Sequence, residues 1–272
     1  MRFNNIMPVK ELQGYIEKIW LFESSGKMPA EDMKLVVPNG NIKLTISYRN
    51  GIVASMNGKT FSSKEQDITL TGLVDTPVIL DMEQDCITET IGIEFNPQFV
   101  YRFFHFNLHE IQNGIYSLSD IMSGAGRQLT ESIANANSTR QKIAMVQQFL
   151  LRQLMQQPED AVFEYCVQQI QSTKGSVSLK QLEKKTGYSS RWLNMKFTDK
   201  LGVSPKNLSS ILRFNHYYQA ITANNDNPFI KNEFYTAYYD QSHFIKAFKR
   251  FTGLPPARFE RQINNFGRIY YR

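Results

Sequence analysis

The apolar positions of this chain change period part-way along it. Through residue 99 they alternate with polar ones, clearest at Ile42, Leu44, Ile46 and Tyr48 and again at Ile91, Ile93 and Phe95. Alternation puts every second side chain on one face of a pleated strand, so such runs predict β structure. Runs rich in Ile, Val, Thr and aromatics fall at 19–22, 34–37, 42–48, 52–54, 68–73, 78–81 and 87–95. Asn39-Gly40, Asn50-Gly51 and Asn57-Gly58 are turn signals between them. Many short strands with regular turns predict a small barrel or a double-sheet sandwich.

Asn96-Pro97 reads as a helix entry, with Asn as cap and Pro in the first turn. A dense aromatic group follows: Phe99, Tyr101, Phe103, Phe104 and Phe106. It reads as a lid on the barrel core, with the lining of an apolar pocket as the alternative. Beyond residue 117 the period becomes helical. Leu118, Ile121 and Met122 start one stripe, and Ile143, Val146, Leu150 and Leu154 make another, with a break at 135–138. This helical pair can serve dimerisation or pack back on the barrel. Residues 155–160 read as a linker, with Pro158 opening the next helix, whose face is Val162, Cys166, Val167 and Ile170. Two domains are expected, 1–157 and 158–272.

In the second domain Ser178 caps a helix through 185 that carries Leu179 and Leu182 inward, and Thr186-Gly187 makes a turn. Ser189 or Ser190 caps the next helix, which packs through Trp192, Leu193 and Phe197. Ser204-Pro205 opens a long connecting helix to about residue 223, with Leu208, Ile211, Leu212 and Ala220 for its core face. After a polar loop, Phe244, Ala247, Phe248 and Phe251 form a stripe behind Asp240 as a candidate cap; Gly253 and Pro255-Pro256 end that helix. Its other face offers Gln241, Ser242, Ile245, Lys246 and Lys249, base-edge donors and acceptors beside phosphate-seeking cations. Taken singly, such a helix is most often a solvated surface element. Here the plan occurs twice: Phe197 and Phe248 are 51 residues apart, and each is followed by Gly and then Pro. Residues 263–272 are a tail of mixed aromatic and basic residues.

Charge follows the same division. Residues 1–157 carry 14 basic and 16 acidic side chains; residues 158–272 carry 17 and 9. A near-neutral domain followed by a basic one fits a sensor joined to a nucleic-acid binder.

These residues resemble a known family. YDQSHFIKAFKRFTGLPPARF at 239–259, with GYSSRWLNMKF at 187–197 and LGVSPK at 201–206, resembles the DNA-binding domain of AraC-type (AraC/XylS) transcription regulators. The resemblance implies two helix-turn-helix units joined by one helix, each recognition helix entering a major groove on the same DNA face about one turn apart. Carried onto this chain, it points to Arg191 and Asn194 for bases in the first helix, with Ser190 and Lys196 at phosphate. In the second it points to Gln241, Ser242 and Lys246 at the groove, Lys249 and Arg250 at the backbone, and His243 in support or at phosphate. The chain departs from the family pattern at Glu183 and Glu233, where an alanine is usual, at Asn232, at Ala237 in the second turn, and at Met195, where Arg is frequent. More weakly, VVPNGNIKLTI at 36–46 and IGIEFNPQFVYRFF at 91–104 are similar to a cupin-like sensor domain of one subgroup.

The expected fold class is therefore α+β multidomain: a β-rich, cupin-like barrel or sandwich with following helices, then an all-α double helix-turn-helix. The expected function is a sequence-specific DNA-binding transcription regulator, activator or repressor. Double-stranded DNA is the partner, and a small-molecule effector, RNA polymerase and a second copy of the chain are compatible with it. Two other readings stand beside it: an interaction protein with a degenerate second unit, and a cupin-type enzyme with a DNA-binding appendage. Against the enzyme, only four histidines occur, and His105 and His109 lack the third ligand a barrel metal site needs. No phosphate loop, nucleophile elbow or dinucleotide fingerprint is present, so no catalytic residue, metal or cofactor is expected. Cys86 and Cys166 form no CxxC and read as structural thiols. With no long apolar run and no signal core, the expectation is a cytoplasmic protein without membrane contact.

Overall fold

Alternation becomes two antiparallel sheets in the computed structural model, which describes residues 1–154, 158–223 and 241–271. The strands are β1 (Arg2–Ile6), β2 (Ile16–Ser24), β3 (Leu35–Val36), β4 (Lys43–Arg49), β5 (Ile52–Met56), β6 (Lys59–Ser62), β7 (Ile68–Thr71), β8 (Val78–Met82), β9 (Thr88–Phe95) and β10 (Ile115–Ser117). One sheet runs β1-β2-β9-β4-β7-β10 and the other β3-β8-β5-β6. Each predicted run holds a strand; β1, β6 and β10 were not predicted. Asn57 and Gly58, both at positive φ, close the β5–β6 hairpin with Met56 opposite Lys59, the geometry a two-residue Asn-Gly turn provides.

The six-stranded sheet has two different faces. Leu44, Ile46, Ile68, Leu70, Ile91, Ile93 and Phe95 point outward into a large core shared with the helices. Trp20 and Phe22 point inward, toward Ala54, Met56, Val78 and Met82 of the other sheet. Trp20 lies so close over β9 that a side chain at Gly92 would meet its ring.

The helices are α1 (Leu118–Ile121), α2 (Ser123–Ala134), α3 (Thr139–Leu154), α4 (Ala161–Ser172), α5 (Leu179–Thr186), α6 (Ser190–Leu201), α7 (Pro205–Ala223), α8 (Gln241–Thr252), α9 (Pro256–Phe259) and α10 (Asn265–Tyr270). The pair α2–α3 packs back on the barrel: Leu129, Ile133, Val146, Phe149 and Leu150 enter the shared core, and the Val9 amide donates to Gln147 Oε1 at 2.8 Å.

Three local expectations change. Asn96-Pro97 opens a 3-10 turn, Val100–Arg102, rather than an α-helix, with Asn96 Oδ1 accepting from the Gln98 amide at 3.0 Å. The aromatic group does not lid the space between the sheets. Tyr101, Phe103 and Phe104 lie in the outer core, where Tyr101 meets Phe163 of α4 edge-on and Phe163 meets Phe197 of α6. Ring contacts thus run from the sheet into the helical half. Pro158 lies outside α4, whose cap is Asp160, accepting from the Phe163 amide at 3.1 Å. The tail, read only as mixed residues, forms α10 and places Phe266 and Tyr270 in the core between the sheets. Asn232, Glu233, Ala237 and Asp240 lie outside the described residues.

Candidate nucleic-acid interface

The sequence repeat is a structural repeat. Helices α6 and α8 are twelve residues each and start 51 positions apart, at Ser190 and Gln241. Both end on a glycine in the left-handed region, Gly202 at φ 86° and Gly253 at φ 80°, where a side chain would be strained. In both, a proline three residues later, Pro205 or Pro256, opens the following helix. The buried stripe also repeats: Leu193 and Phe197 in α6 match Phe244 and Phe248 in α8. The second stripe packs on the connecting helix α7 through Phe214 and Tyr217.

The first unit is built as predicted. Ser178 and Gln181 form a reciprocal capping box on α5, Gly187 closes that helix at positive φ, and Ser189 caps α6. Glu183, where the family has alanine, reaches across the turn and accepts from the Ser190 amide at 2.5 Å. A carboxylate there satisfies one of the free amides at the start of α6 and lies at the positive end of its dipole. The departure from the family pattern at this position supports the recognition helix instead of weakening it.

Seven of the ten expected contact residues are exposed, Arg250 of α8 among them. Arg191 is exposed on α6, and Gln241, Ser242, His243, Lys246 and Lys249 are exposed on α8. Met195 of α6 and Ile245 of α8 are exposed among them, each large and apolar in the middle of its helix. Ser190 and Asn194 are half-buried, and the Asn194 amide donates back to the Ser190 carbonyl at 2.8 Å. Lys196 turns to the side, 2.9 Å from Asp160 and 5.1 Å over the Trp192 ring. Burial pushes the Asp160 carboxyl up, but Lys196 and the Phe163 amide pull it below the usual carboxylate range. Trp192 also stacks on exposed Tyr188, ring centroids 4.0 Å apart, so Lys196 closes a short cation and aromatic ladder beside α6. Sequence reading missed Tyr188; its spacing of four from Trp192 was the available signal.

Arg250 is also engaged. Its guanidinium lies 2.6 Å from Asp75 and 2.9 Å from Asn207 Oδ1. Asp75, in the loop before β8, also accepts from Asn207 and Asn113, each at 2.8 Å. Burial raises the Asp75 carboxyl, and these two amides with Arg250 outweigh it and lower it overall. At the equivalent position of α6, Asp199 accepts from Asn107 at 3.1 Å. Each recognition helix is therefore gripped by the barrel half near its C-terminus, while its N-terminal half projects.

Among the described residues no group of three or more His, Cys, Asp or Glu is arranged to hold a metal, and no helix is long and apolar enough to cross a membrane. His105 and His109 are both exposed, and only His109 lies in the 3-10 turn Leu108–Ile111.

Residues 182–262 match the family described as a helix-turn-helix domain, and residues 4–117 match a domain of unknown function. No curated protein matches the chain. A structure of ToxT from Vibrio cholerae is similar over 88% of this chain and 97% of its own, at 10% identity and a TM-score of 0.50. ToxT from Vibrio cholerae O395 bound to (E)-4-(8-methylnaphthalen-1-yl)but-3-enoic acid covers 88% and 98%, at 10% identity and 0.47. The Cnp3 cupin domain of Schizosaccharomyces pombe covers 35% and 63%, at 11% identity and 0.27. The first of these likenesses is one of fold.

Proposed function

We propose that this chain, an AraC-type helix-turn-helix DNA-binding transcription regulator, reads one face of a duplex with α6 and α8 in successive major grooves. The observation that carries this reading is the paired geometry: two helices of equal length, 51 residues apart, with matching C-terminal glycines, matching buried stripes and exposed polar residues on their outer faces. Arg191 suits guanine and Gln241 suits adenine; Asn194 joins them once it leaves the Ser190 carbonyl. Ser242 and Lys246 face the second groove, and Ser190, His243 and Lys249 border the phosphates. Lys196 and Arg250 reach phosphate only by leaving Asp160 and Asp75, so the barrel half competes with DNA for them. The excess of 17 basic over 9 acidic residues after position 157 supplies long-range attraction to the duplex. The helix-turn-helix match over residues 182–262 supports a regulator. The protein acts in the cytoplasm, where RNA polymerase and a second copy of the chain are its further partners.

Selection of sites from random duplexes, followed by titration at fixed salt with wild type, Arg191→Ala and Gln241→Ala, tests this. Each variant should lose discrimination worth about 1–3 kcal/mol at one base position, the two positions lying in separate half-sites. Binding that never rises above a salt-sensitive, sequence-blind background overturns the reading.

A further inference from the structure

The two recognition helices share a feature that polar base contacts leave unused. Among the described residues ten large apolar side chains are exposed, and eight of them lie on strands or between elements. The other two are Met195, 51% exposed in the middle of α6, and Ile245, 38% exposed in the middle of α8. Every large apolar residue on the other described helices is buried or half-buried. A single exposed apolar side chain is ordinary on a protein surface. One on the outer face of each repeated helix, and on no other described helix, is a pattern that chance exposure does not account for.

Their places in the helices set them among the base-reading residues. The exposed residues of α6 are Arg191, Met195 and Asp199, one every four positions, so they form one ridge along the helix. Asp199 is held by Asn107 at the C-terminal end, which leaves Arg191 and Met195 as the part of the ridge that projects. On α8, Ile245 stands four residues after Gln241, three after Ser242 and four before Lys249, all of them exposed, so polar side chains surround it. Neither residue belongs to a core: Leu193 and Phe197 pack α6, and Phe244, Phe248 and Phe251 pack α8.

The major groove offers an apolar side chain one partner. All four bases present donors or acceptors there, and thymine alone adds a C5-methyl group. Against the other bases, Met195 or Ile245 would cover polar edges and return no hydrogen bond, which costs free energy. Against a thymine methyl, two apolar surfaces leave water together. Side chains four apart on a helix stand about 5–6 Å apart, and base pairs rise about 3.4 Å along the duplex. Each thymine should therefore lie within two base pairs of the base that Arg191 or Gln241 reads.

We propose that Met195 and Ile245 are specificity-determining residues, each packing on a thymine C5-methyl group in the major groove, one in each half-site. This rests on the DNA-reading assignment of α6 and α8. The test uses the full chain and its selected duplex, with deoxyuridine replacing each thymidine in turn, which deletes one methyl group and leaves every base pair intact. Binding should weaken about fourfold at one position in each half-site, the worth of burying one CH2-sized group. The salt dependence should stay unchanged, because no phosphate contact is lost. Met195→Gln should bind the thymine and uracil duplexes alike at the first position and keep the penalty at the second; Ile245→Ser should do the reverse. Both residues lie outside the cores, so both variants should unfold at the wild-type temperature. A site that depends on Arg191 and Gln241 but shows no methyl effect overturns this proposal and leaves the DNA reading standing. A methyl effect that persists in the matching variant also overturns it. If selection yields no site at all, the DNA reading falls and this proposal falls with it.

Discussion

The two faces of the six-stranded sheet serve different ends. The outer face is covered by α2–α4, α6 and the aromatics at 101–104, and its central side chains are almost wholly buried. The inner face carries Lys43, Thr45, Thr69 and Thr71 among its aromatics and stops short of filling the space before it. A close-packed core resists change of volume in either direction. A hollow one tolerates filling. The outer face therefore holds the barrel and helical halves together, and the inner face is left incompletely packed.

Substitutions on the two sides should separate them. The largest effect is expected at Phe197, buried where α4, α6 and the barrel meet: Phe197→Ala should cost about 3–5 kcal/mol in denaturant unfolding. A cost under about 1 kcal/mol would break the claim that this core joins the halves. Enlarging a side chain should be the sharper contrast. Cys166→Leu, at a fully buried position of α4, should cost about 1–3 kcal/mol by overpacking. Ala54→Leu, pointing into the cavity, should cost less than that or stabilise. Equal penalties would mean that the space beside Ala54 is as closely packed as that around Cys166.

The smallest effect concerns the grip on α8. Asp75 has a lowered carboxyl in the folded chain, so its stabilising contribution is complete above the ordinary carboxylate value. It is lost as pH falls through the lower folded value. Because Arg250 is partly exposed, the pair should be worth about 1 kcal/mol or less. Asp75→Ala should remove that part of the acid-side slope in unfolding measured against pH. It should also free Arg250, strengthening non-specific DNA binding and steepening its salt dependence by about one phosphate contact. An unchanged salt slope would show that Arg250 does not compete between Asp75 and DNA.

The helix-turn-helix half was the most legible part of the chain. Ser178, Gly187, Ser189, Gly202, Pro205 and Gly253 act through bonds and dihedrals within a few residues, so their spacing fixes where α5, α6, α7 and α8 begin or end. Seven strands were legible for a related reason, since alternation is local. β1, β6 and β10 were not, because each is short and defined by its partner: Ile115–Ser117 is a strand only through pairing with β7. The outer positions of α8 followed from helical period and those of α6 from the family resemblance, yet the engagement of Lys196 and Arg250 did not. Asp160 and Asp75 are 36 and 175 residues away from them in the chain.

By itself, then, the sequence determined the order of elements, the repeat, the charge division and the outward face of α8, since all of these rest on short-range periodicity and capping. Only the tertiary structure decided which face of the barrel is hollow, that Lys43 is buried there, and that the tail at 265–270 crosses back to roof it. A strand pattern marks two faces without saying which will be covered. Asn264 and the six residues after it are held where Asp32, Leu35, Glu94 and Tyr218 accept their hydrogen bonds, and those partners come from both halves of the chain.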